Sequence, residues 1–206
     1  MIPMAIDDES RASDPYAVLA REHRLIERVL DALGRICSQA LREKRLDAPA
    51  ATLAVRFVRE FADRTHHLKE EDVVFPAIEA KGFFPGCALV REHEEGRERV
   101  RLMADAIEGA ARGDPEAVRL FVRKARSFIS FLRDHIAKED DCLADVVNAT
   151  FSREEREALA RQLVEREDRE VGPRAYERFA ALAGEIEARC AGAGLGRAEG
   201  HDGGRA

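Results

Sequence analysis

Along four stretches of the chain, seam positions recur at steps of three, four or seven, the spacing that lays one stripe along an α-helix. Leu19, His23, Ile26, Leu30, Leu33 and Cys37 form the first stripe. Asp14-Pro15 ahead of it offers an N-cap and a proline at the first helical position, and predicts a helix to about Glu43. A second start signal, Asp47-Ala48-Pro49, opens a helix carrying Leu53, Phe57, Phe61, Leu68, Phe75 and Ile78 and ending at Lys81-Gly82. The third, from about Cys87 to Ala111, repeats Leu89, His93, Gly96, Val100, Met103 and Ile107. Gly113-Asp114-Pro115 ends it and caps the fourth, whose stripe is Phe121, Ala125, Phe128, Leu132, His135, Glu139, Cys142 and Val146.

No run of alternating Val, Ile and Thr is present to build a sheet. The expected fold class is therefore all-α: an up-down-up-down four-helix bundle over residues 14–148, with a C-terminal helical appendage over 149–191. Ser152-Arg153-Glu154-Glu155 fits a capping box that opens a highly charged helix to about Glu170. Gly172-Pro173 breaks it before a short helix with Tyr176, Phe179, Leu182 and Ile186. This appendage is expected to pack on the bundle or to offer a protein-partner surface through residues 150–190. Residues 1–13 read as a flexible leader and 192–206, rich in glycine, as a disordered tail.

The composition narrows the function. Of 206 residues, 45% are hydrophobic and 36% charged, a globular balance, and the net charge of -6 argues against a nucleic-acid binder, which needs a basic face. No apolar stretch approaches the roughly 18–20 residues of a membrane span. The opening MIPMAIDDES places acids where a signal peptide needs a basic end and an apolar core, so export is not expected. Cys37, Cys87, Cys142 and Cys190 stand about fifty residues apart with no C-x-x-C pair, and read as reduced thiols of a cytoplasmic protein, chiefly core filler.

The candidate chemistry lies in what interrupts the apolar seams. His23 holds a seam position in the first helix and His93 one in the third. The second presents His67 and Glu71 one turn apart, and the fourth repeats that spacing with His135 and Glu139. A lone histidine on such a face is ordinarily a satisfied core residue. Two carboxylates at one level of a bundle are different, because burying them unpaired costs several kcal/mol each and each opposes the other's ionisation. A pair of bound cations removes that cost. Four imidazoles and two carboxylates exceed what one tetrahedral zinc uses, while calcium and magnesium prefer all-oxygen shells. The mixed donor set suits iron, with manganese as the nearest rival. His66, adjacent to a candidate ligand but turned about 100° away on an α-helix, reads as a supporting or surface residue, with metal ligation as the alternative. Asp140, five residues after His135, could replace or assist Glu139. Arg97, one turn from His93, reads as a surface ion-pair partner that could reach the site, and Cys142 as core filler that peroxide could oxidise.

At these residues the chain resembles the hemerythrin-like family, specifically the HHE cation-binding domain. The resemblance spans about residues 14–148 and rests on AREHRLIERVL around His23, HHLKEEDVVFPAI around His67 and Glu71, REHEEGR around His93 and DHIAKEDD around His135 and Glu139. It implies a non-haem di-iron centre of two oxo- or hydroxo-bridged iron ions with bridging carboxylates. Such a centre binds a small-molecule ligand (O2, NO or peroxide) or senses iron or oxygen. Oxygen-carrying members use a fifth histidine one turn before the position matching His93. Leu89 stands there, so a four-histidine site is expected. That departure motivates an alternative reading, an oxidoreductase that decomposes peroxide or reduces NO at two open iron positions.

Overall fold

A computed structural model of the chain describes residues 14–83 and 86–195. All regular structure among them is helical: α1 (Pro15–Glu43), α2 (Ala48–Phe57), π1 (Val58–His67), π2 (Glu70–Val74), α3 (Phe75–Ala80), α4 (Gly86–Ala111), α5 (Pro115–Thr150), α6 (Arg153–Glu170) and α7 (Ala175–Leu195). Residues 48–80 form one unbroken helix in which α2, π1, π2 and α3 follow one another. The expected leader and residues 196–206 of the expected tail lie outside the described residues. The last helix continues through Leu195, beyond the Gly192 at which the tail was expected to begin.

The capping residues act as their chemistry requires. Asp14 accepts from the amide of Tyr16, Asp47 from Ala50 and Asp114 from Glu116, each ahead of a proline in the first turn. Ser152 and Glu155 form the reciprocal capping box of α6. Gly113 and Gly172 take φ +86° and +87°, conformations open to glycine at little cost, and each follows a helix end.

Two apolar clusters fill the bundle. The larger joins Ile26, Leu30, Leu33, Phe57, Phe61, Val100, Phe121 and Phe128 with Phe179, Leu182 and Ile186 of α7. The smaller contains Leu19, Val74, Phe75, Ile78, Leu89, Leu143, Val147 and Leu163 of α6. In α1 and α4 the chain passes from the smaller cluster to the larger; in residues 48–80 and in α5 it passes the other way. The appendage therefore packs on the bundle: the ring of Phe179 lies 5.0 Å from that of Phe61 and 6.1 Å from that of Phe57. Arg28 of α1 also meets Glu187 of α7 at 2.7 Å. Among the described residues no helix is long and apolar enough to cross a membrane.

Leu53 and Ile107 of the expected stripes are only partly buried, and the seams shift more clearly around Leu68 and in α5. Leu68 is only half-buried, because the π-helical turns around it change the helix phase. In α5, Cys142 is exposed, and Leu143 and Val147 are buried in place of Cys142 and Val146. A strict seven-residue repeat drifts about 20° per heptad on a straight α-helix, and the buried face moves on by one residue.

Candidate metal centre

Between the two clusters lies a layer of buried polar side chains. His23, His66, His67, Glu70, His93, His135 and Glu139 are all 6% exposed or less. They form two groups able to hold a cation: His67, His93 and His135 in one, and His23, His66, Glu70 and Glu139 in the other.

The two carboxylates connect the groups. Oε1 of Glu70 lies 3.5 Å from Nε2 of His66, while its Oε2 lies 3.5 Å from Nε2 of His93. Oε2 of Glu139 lies 3.4 Å from Nε2 of His23, and its Oε1 lies 3.0 Å from Nε2 of His135 and 3.6 Å from that of His93. All four of these oxygens, and Nε2 of His23, His66, His93 and His135, are buried without a hydrogen-bond partner. Orphaned donors and acceptors at such density are costly unless something between them satisfies them. A positive ion in each group satisfies the oxygens and imidazole lone pairs together, so the residues present fit the cations.

The outer edges of the imidazoles are held by a second ring of carboxylates. Nδ1 of His23 faces Asp140 at 2.7 Å, that of His66 faces Glu22 at 2.9 Å, that of His93 faces Glu71 at 2.7 Å and that of His135 faces Glu92 at 2.8 Å. His67 is the exception: its Nδ1 is buried without a hydrogen-bond partner, with Asp63 3.8 Å away. An imidazole whose Nδ1–H donates outward turns the Nε2 lone pair inward, the tautomer a metal ligand needs. Further contacts fix this ring. The hydroxyl of Tyr16 donates to Asp140 at 3.2 Å, Arg97 donates to Glu71 at 2.8 Å and to Asp63 at 2.7 Å, and Lys138 donates to Glu92 at 2.6 Å. Lys69, itself buried, donates to Glu22 at 2.5 Å and also to Glu167 of α6.

The electrostatics carry the same strain. Burial and the neighbouring charge of Glu139 push the Glu70 carboxyl well above the usual range. Burial also disfavours ionised Glu139, but the imidazoles of His135, His23 and His93 around it outweigh burial and hold that carboxyl low. Burial drives His66 down to about 4 and His67 down to about 3. For His23, burial is overcome by Asp140 and Glu139, which raise it to about 9. For Glu22, burial is overcome by Lys69 and His66, which bring it down to about 2.

The structure brings together five of the expected candidates: His23, His67, His93, His135 and Glu139. It separates two others from the roles read for them. Glu71 faces outward to His93 and Arg97, and Glu70 takes the inward position. His66, expected beside the site or at the surface, lies inside it. Both changes have one cause. In a π-helix each residue turns the chain less than in an α-helix, because the turn holds an extra residue. Consecutive His66 and His67 therefore both face the interior, and the carboxylate one turn on is the partner of His66. Thr65 supports the wide turn by donating its hydroxyl to the carbonyl of Glu60 at 2.7 Å. The sequence did hold a sign of this, since His66–Glu70 has the same four-residue step as His67–Glu71. Asp140 assists rather than replaces Glu139, and Arg97 reaches the site through Glu71 and Asp63. Glu22, buried beside His66, had no signal in the apolar periodicity.

Residues 14–147 match the family described as Hemerythrin HHE cation binding domain, and the chain belongs to that family. It is 25% identical over 175 residues to uncharacterized protein Rv1995 of Mycobacterium tuberculosis and to uncharacterized protein Mb2018 of Mycobacterium bovis, matches that cover 82% of this chain and 67% of each relative. No solved structure gives a significant match.

Proposed function

We propose that the chain holds two iron ions. His23 and His66 would bind one and His67, His93 and His135 the other, with Glu70 and Glu139 each giving one oxygen to either side. The observation that carries this reading is the placement of those two carboxylates, buried, unpartnered and directed with one oxygen toward each histidine group. Iron fits the mixed imidazole and carboxylate donors better than zinc, calcium or magnesium, and manganese is its nearest rival. Such a centre supplies one-electron redox chemistry and a place for a small ligand such as O2, NO or peroxide.

The chain's own groups prepare that chemistry. Asp140, Glu22, Glu71 and Glu92 fix the imidazole planes, and the apolar clusters close the layer toward both ends of the bundle. Leu89 had suggested four histidines and two equally open positions. With His66 facing inward as well, the histidines number five and divide three and two, which leaves one side richer in protein donors. That inequality favours ligand binding or sensing over decomposition of peroxide or reduction of NO. The reading is tested by metal analysis with optical spectra of the reduced protein before and after exposure to air. A persistent change in the spectrum of an iron-bearing protein supports it; an iron-loaded protein whose spectrum never responds to O2, NO or peroxide overturns it.

A further inference from the structure

A cavity of ≈ 380 Å³ opens between π1, α4 and α5, on the side of the three-histidine group. Its walls are Val58, Val100, Phe128, Phe131 and Leu132, and His67 and His135, both buried, form its floor. Gly96 also lines it, and a Cβ there would stand 3.4 Å from the Phe131 ring, so a larger side chain at 96 would have to take up cavity space.

The volume is an order of magnitude above the roughly 30 Å³ that a water molecule takes in the liquid, far more than a diatomic ligand needs. It lies in the range of small organic ligand pockets. Apolar walls with two aromatic rings suit a flat apolar body better than a chain of waters. The charges at the rim select its polar end. Arg97 is committed to Asp63 and Glu71, and Glu92 to Lys138 and His135. Arg59 and Arg64, exposed and lining the cavity, have no acidic partner among the described residues. The charge left over at the entrance is positive.

We propose that this cavity binds a small organic monoanion with a flat apolar body, its carboxylate at Arg59 and Arg64 and its apolar end against His67 and His135. The proposal rests on the cation reading only for what the occupant faces at the floor, and its binding needs no metal. The occupant would sit beside the three-histidine half, so the chain pairs an organic ligand with its cation centre.

The test is calorimetric titration of the full chain with 2-naphthoate and with neutral 2-naphthol, in cation-free and iron-loaded forms. Saturable binding of one naphthoate per chain is expected in both forms, tighter than naphthol. Gly96→Leu, which fills the cavity, and the double charge reversal Arg59→Glu/Arg64→Glu, which leaves it open, should each weaken naphthoate roughly tenfold or more. Cation content measured on the same variants should not change. No saturable binding to the wild type, or equal binding to the filled variant, overturns the proposal. Naphthol binding as tightly as naphthoate, with no effect of the charge reversal, overturns the anionic class. Should the wild type bind naphthoate and yet take up no cation, the proposed function fails while this site stands.

Discussion

Glu22 and His66 meet with Oε2 2.9 Å from Nδ1, both side chains buried, and Lys69 closes on the other carboxylate oxygen while also reaching Glu167 of α6. One chain of charged contacts thus runs from a histidine of the centre to the appendage. Glu22→Gln is expected to weaken cation binding by roughly 10–100-fold, the usual effect of losing a carboxylate behind a ligating histidine. Competition against a chelator of known affinity checks it. Lys69→Met should cost more in stability than in affinity. It strands a buried carboxylate, a change typically worth about 3–5 kcal/mol, measurable by urea unfolding of the cation-free protein.

Glu70 and Glu71 are neighbours with separate tasks. Glu70→Gln should remove stoichiometric binding, because the amide keeps one oxygen in place of two and carries no negative charge for the groups to share. Glu71→Gln should keep both cations at reduced affinity, since it releases only the orientation of His93. Metal content per chain after desalting distinguishes them; equal content in the two variants would mean the π-helical phase is wrong.

The helices, their caps and the apolar seams were legible in the sequence because local propensity, capping chemistry and periodicity all agree there. His23, His93, His135 and Glu139 were legible as interruptions of those seams. Glu70 and His66 were not, because periodicity assumes a constant rotation per residue and the π turns at 58–67 and 70–74 break that assumption. His66→Ala and His67→Ala are accordingly both expected to lower cation content, each by the ion of its own group.

The pKa directions give a pH dependence with a definite sign. In the cation-free protein His23 is raised from 6.5 to about 9, and Glu70 and His93 are raised as well. A group whose folded value is raised contributes stability below its unfolded value and loses it as pH climbs through the folded one. The depressed His66 and His67 add an opposite slope that fades as pH rises past their unfolded value of 6.5. Thermal stability of the cation-free protein should therefore fall between pH 6.5 and 9. Cation binding needs these same groups deprotonated and releases protons, so its affinity should rise over that window. Melting curves of both forms across this range check the opposite slopes.

The core predicts a simpler effect. Phe61 is fully buried against Phe57, Phe179 and Tyr176, and Phe61→Ala should cost about 3–5 kcal/mol. Because that contact joins bundle and appendage, equilibrium unfolding should lose α7 and the bundle in one transition.

The most direct measurement is the number of iron ions bound per chain when the reduced protein is titrated anaerobically. Two per chain in the wild type, with stoichiometric binding lost in Glu70→Gln and in Glu139→Gln, is the result expected of two carboxylates shared between two histidine groups. A wild type that binds none, or variants that still bind two, would contradict it.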